Sequence, residues 1–139
     1  MNKELVPYQE ALELKELGFD EKGFVKVRWL NSVHYQTKVP FKPHITMNGQ
    51  DIKFEYPIPE KHPSPGFKAL ELQVPTFSQA FRWFREKYNL TSWVYNSDVD
   101  KFFYTILQNG RIIKAHDSVA IYEEAELACL IKLIEIVKQ

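Results

Sequence analysis

One cysteine, Cys129, stands in the 139 residues, which excludes an internal disulfide and a cysteine-based zinc knuckle. Charge of one sign is missing too. Eighteen basic residues balance 18 acidic ones, ten of each through Val74 and eight of each from Pro75 onward, so neither half holds nucleic acid or an anionic membrane by bulk charge. No apolar run approaches the roughly 18 residues of a membrane span, and Met1 to Val6 lacks the apolar core of a signal peptide. The chain reads as cytoplasmic, with no membrane partner. Glycine is scarce, at five, and forms neither a phosphate-cradling loop nor a Gly-x-Ser-x-Gly elbow. The four histidines, His34, His44, His62 and His116, are scattered, with no two at a spacing that places both on one metal from one element. These absences point away from an enzyme, and no catalytic residue, cofactor or metal is expected.

What is present is a composition of 45% hydrophobic and 26% charged residues, suited to a single globular domain over 1–139, within which 1–74 and 75–139 could form sub-lobes. The most apolar segment is Tyr122 to Lys138. At 100° per residue, Tyr122, Ala125, Cys129, Leu133 and Ile136 form a stripe that Leu130, Ile134 and Val137 widen, leaving Lys132, Glu135 and Lys138 for water. Cys129 lies on that stripe and reads as a small hydrophobe. A second helix is predicted from Thr76 to about Asn89: Thr76 and Gln79 fit a capping box, and Phe77, Ala80, Phe81, Phe84 and Tyr88 share a face that Trp83 flanks. A third opens the chain, with Pro7 at its first position, Ala11, Leu14 and Leu17 at helical spacing, Gly18 as the cap and Phe19 closing it. The shared aromatic-x-acid/amide opening of the three helices reflects helix-entry chemistry, not a repeat, because the spacing is not periodic.

Between the helices the period changes to two. Val25, Val27 and Trp29 alternate with Lys26 and Arg28, and a second strand is placed near Tyr35 to Val39. Asn48-Gly49 and Asn109-Gly110 mark two-residue hairpins, the first between His44–Met47 and Ile52–Tyr56, the second between Lys101–Gln108 and Arg111–Ala115, with Thr91–Tyr95 before it. Seven of the eight prolines fall from Pro40 to Pro75, and 57–66 reads as an extended loop. The expected fold is α+β: an antiparallel sheet of short hairpins with two helices on one face and an additional N-terminal helix.

Aromatic residues make up 14% of the chain, more than one small core needs. Trp29, Tyr35, Phe67, Trp83, Trp93 and Tyr95 are therefore candidates for an interaction surface facing an unidentified protein partner. Glu126 is the one carboxylate projected onto the apolar side of the last helix. It requires either water at the helix end or a base such as Arg111, Lys114 or Arg85.

The order helix, three strands, helix from Pro75 onward resembles the double-stranded-RNA-binding domain in topology. At that family's two phosphate-contacting positions this chain has Asn96-Ser97-Asp98-Val99-Asp100 and Glu123, Glu124 and Glu126, which disfavours RNA. The phrases Gln79-Ala80-Phe81-Arg82-Trp83-Phe84-Arg85-Glu86-Lys87-Tyr88, Tyr122-Glu123-Glu124-Ala125-Glu126-Leu127-Ala128-Cys129-Leu130 and Leu14-Lys15-Glu16-Leu17-Gly18-Phe19-Asp20 resemble a group of short uncharacterised proteins found on phages and prophages of gut anaerobic bacteria. That group usually has a serine where this chain has Ile121. The resemblance implies a mobile-element context and supplies no activity. The expected function is that of a small accessory or adaptor protein acting through protein contact, with a nucleic-acid-binding module as the alternative and an enzyme built around Glu126 as the third reading.

Overall fold

The computed structural model describes residues 4–29, 44–51, 56–58, 70–98, 101–115 and 119–139. The expected second strand near Tyr35, and most of the proline loop, lie outside them. The fold is α+β, in the order α1 (Tyr8–Glu16), β1 (Val25–Trp29), β2 (His44–Met47), β3 (Gln50–Asp51), β4 (Leu70–Val74), α2 (Phe77–Tyr88), β5 (Leu90–Asp98), β6 (Lys101–Gln108), β7 (Arg111–Ala115) and α3 (Tyr122–Lys138).

The strands form two antiparallel sheets, not one: β3-β2-β1-β4 and β5-β6-β7. The break falls where Pro75 ends β4. Proline has no N–H for a ladder, and its carbonyl accepts instead from Val6 N at 2.9 Å, tying the N-terminal segment to the junction. In the first sheet Val25 and Val27 are buried opposite Val74 and Leu72, while Lys26 and Arg28 take the outer face. There Glu71 meets Arg28 at 3.0 Å and Lys26 at 3.5 Å, and the hydrogen bond from Arg28 holds its carboxyl below the usual range.

The first helix is closed by a Schellman motif. Phe19 N donates to Leu14 O at 2.9 Å and Gly18 N to Lys15 O at 3.0 Å, with Gly18 at φ 102°. Pro7 is the N-cap residue, one position earlier than expected. Phe19 then turns inward and meets Trp83 edge-on, ring centroids 5.5 Å apart. Both Asn-Gly pairs take positive φ at both residues, the conformation of a hairpin turn whose twist matches its strands.

Gly23 marks a close crossing of backbones. A Cβ built there would lie 2.6 Å from Val74 N and Val74 O, and the next residue, Phe24, donates to that same carbonyl at 2.8 Å. The second helix begins as expected on one side only: Thr76 Oγ1 accepts from Gln79 N at 3.1 Å. Gln79 does not return the bond. Its side chain donates to Lys22 O at 2.8 Å, clamping α2 to the segment before β1.

Both α2 and α3 pack on the inner face of the β5-β6-β7 sheet, and α1 packs on β4 and α3. The core runs through all three helices and both sheets, with Phe84, Leu14, Leu72, Leu90, Ile106, Leu130, Leu133 and Ile134 fully buried. Two parts of the helix assignments are corrected. Tyr122 is exposed at the start of α3, where its ring meets the edge of Phe102, centroids 5.7 Å apart. On α2 the buried set is Phe77, Ala80, Trp83 and Phe84, while Phe81 and Tyr88 lie at its margins.

Candidate functional site

Of the six aromatic candidates, Tyr35 and Phe67 lie outside the described residues. Trp29 is placed by its backbone alone, opposite Leu70 at the end of β1. Trp83 is a correction. It is 5% exposed, packed edge-on against Phe19, Phe84 and Tyr88 and capped by Lys87 Nζ at 5.0 Å, so it is core and no part of a docking surface. The face projected from α2 alone left it at the margin. The neighbour that buries it, the α1 cap, comes from 64 residues earlier in the chain (83 minus 19).

Trp93 and Tyr95 meet on one surface. The β5–β6 register sets Trp93 opposite Thr105 and Tyr95 opposite Phe103, and Tyr95 and Phe103 stack with centroids 5.5 Å apart and planes 19° off parallel. Because side chains alternate, Leu90 and Val94 face the core with Tyr104 and Ile106, and Trp93, Tyr95, Phe103 and Leu107 face away from the helices. The next strand adds to that outer face through a bulge. Ile106 pairs with Lys114 and Leu107 with Ile112, leaving Ile113 as the extra residue. Ile112 is 67% exposed and Trp93 44%, with Tyr95 and Ile113 also exposed.

Among the described residues the substantial packing of β5, β6 and β7 is with one another, α2 and α3, and Phe102 of β6 also bridges Val119. Sequence reasoning found Trp93 and Tyr95 and missed Phe103, Leu107, Ile112 and Ile113. The signal was there: Phe102 to Leu107 is apolar on both faces, and a strand with helices on one side only does not need that.

Charge is sparse on the same face. Lys101, at the register position before Phe103, is its basic residue among the described strands, while Arg111 and Lys114 pair at inward positions. A phosphate backbone needs several such contacts.

Comparison with protein-family models, with curated proteins and with solved structures finds no match. The site is therefore read from its own chemistry.

Glu126 is half-buried in the second turn of α3, and among the described residues it has no ion pair. None of Arg111, Lys114 or Arg85 meets it. Burial first, then the charges of Glu123 and Glu4, push its carboxyl up to about 7. It lines an open pocket of about 460 Å³ with Glu4, Thr76, Ser78, Tyr122 and Glu123, so the water-reaching alternative is the one realised. Cys129 is fully buried, and that burial pushes its thiol up to about 12, which makes it inert as a nucleophile at neutral pH. Among the described residues no group of three or more His, Cys, Asp or Glu is placed to hold a metal ion. His34, His62 and His116 lie outside them. No helix among the described residues is long and apolar enough to cross a membrane.

Proposed function

We propose that this protein is a small non-enzymatic accessory or adaptor protein of a phage or prophage, binding a protein partner on the outer face of the β5-β6-β7 sheet. The observation that carries the reading is the outer sheet face, on which Trp93, Tyr95, Ile112 and Ile113 are exposed and Phe103 and Leu107 partly so around a buried Thr105. Rigid aromatics flanked by aliphatic side chains are the usual anchors of a protein interface. The bulge at Ile113 favours docking on the face over extension of the sheet at the β7 edge, since bulges twist an edge out of register with a passing strand. The mobile-element context rests on the phrases in the three helices quoted above.

A second reading rests on the same aromatics. Trp93 and the stacked Tyr95–Phe103 pair would also suit single-stranded nucleic acid, which stacks its bases on exposed rings. Lys101 alone supplies little of the field that such binding requires.

The test is capture of partners by the full chain and by a Trp93→Ser/Ile112→Ser variant, followed by titration of the purified partner against both. Loss of two central anchors should weaken binding on the order of 100-fold. Equal affinity for the two proteins would overturn the reading. Salt-sensitive binding of a labelled oligonucleotide, abolished in the same variant, would replace it with nucleic-acid binding.

A further inference from the structure

A second surface, remote in chemistry from the sheet face, is built where α1, α2 and α3 converge. Leu5, Pro7, Tyr8, Tyr56, Pro57, Phe77 and Leu127 line an apolar pocket of about 280 Å³, with Glu123 at its rim. Tyr56 is fixed there by its hydroxyl, which donates to Val6 O at 2.7 Å, so this wall is held in place before any ligand arrives. Phe77 and Glu123 also line the neighbouring pocket of Glu4 and Glu126, so the apolar space holds one carboxylate and adjoins two more.

Among the described residues none of these three carboxylates has an ion pair. The first turn of α2, Thr76 to Ser78, borders the same space with the positive end of its dipole. A helix terminus supplies roughly half a unit charge, and two of the first-turn region's N–H groups, those of Gln79 and Ala80, already bond to Thr76. Half a positive charge does not neutralise three carboxylates. Burial of Glu126 first, and then the charges of Glu123 and Glu4, raise its proton affinity.

We propose that the apolar pocket binds a small organic amine, its hydrocarbon or aromatic body seated against Leu5, Tyr56, Phe77 and Leu127 and its ammonium group among Glu4, Glu123 and Glu126. The pocket selects the body and the carboxylates select the charge. A volume near the lower end of ordinary ligand pockets limits the occupant to a body about the size of one phenyl ring with a short chain.

The experiment is calorimetric titration of the full chain with 4-phenylbutylamine and, as the charge-reversed control, 4-phenylbutanoate. The amine should bind saturably at one site and on the order of ten-fold or more tightly than the carboxylate, as a desolvated charge contact requires. Glu123→Gln, at a partly exposed position that leaves the core intact, should remove most of that preference, and Glu126→Gln the same. Leu127→Arg, which places a cation and extra bulk in the pocket, should abolish binding of the amine. Absence of saturable amine binding would overturn the proposal, as would equal affinity for the two probes or a preference unchanged in Glu123→Gln. None of these results depends on the outer sheet face, so the two readings stand or fall separately.

Discussion

Replacing Glu126 by glutamine should stabilise this protein at pH 8 and leave it unchanged near pH 4.5. The folded carboxyl titrates at about 7 against an ordinary 4.5, because burial and the charges of Glu123 and Glu4 disfavour its ionised form. The direction follows from proton linkage. A group that binds its proton more tightly in the folded state adds stability that is complete below the unfolded value and lost as pH rises through the folded one. At about 1.4 kcal/mol for each tenfold change in proton affinity, the rise corresponds to at most about 3.4 kcal/mol. Glu126 is only half-buried, and solvent screening brings a realistic figure to about 1.5 kcal/mol. Glutamine keeps the shape and removes the charge, so Glu126→Gln should gain about 1.5 kcal/mol above pH 7.5, or about 5 °C in Tm for a chain of this length. Urea unfolding of both proteins at half-unit steps from pH 4.5 to 8.5 measures it. A gain that is independent of pH, or a loss at pH 8, would refute the argument.

Other outcomes follow from single features. Trp83→Ala should cost about 3–5 kcal/mol, because it empties a site packed by Phe19, Phe84 and Tyr88. Trp93→Ala, on the open face, should cost under about 1 kcal/mol in the same denaturation assay. Ile121 caps α3 without a side-chain hydrogen bond and is exposed, so Ile121→Ser should raise stability by about 1 kcal/mol. Gly23→Ala should destabilise by about 1–3 kcal/mol, since its Cβ would meet the backbone of Val74; an unchanged urea midpoint would contradict that crossing.

Much of the fold was legible because local rules and tertiary context agree. The Asn-Gly turns, the Thr76 cap, the Gly18–Phe19 closure and the alternation of β1 each depend on neighbours within a few residues, and each is present. What local rules missed depends on partners far away. Trp83 is buried by Phe19, Gln79 bonds to Lys22, Pro75 accepts from Val6 at the end of β4, and the strands divide into two sheets. For Glu126, helical projection found the half-buried position but not its surroundings. Its neighbour Glu4 comes from the opposite end of the chain. The docking face was half legible: Trp93 and Tyr95 stood out as aromatics, whereas Ile112 and Ile113 stood in a strand whose bulge only the register reveals.

The most direct test of the outer sheet face places a photo-reactive residue at position 95, with a control at position 86 on the exposed side of α2. Irradiation in cells that produce the protein should yield an adduct to one other protein from position 95 and none from position 86. No adduct at 95, the same adducts from both positions, or an adduct only to a second copy of this chain would contradict an adaptor that docks its partner on Trp93, Tyr95 and Ile112.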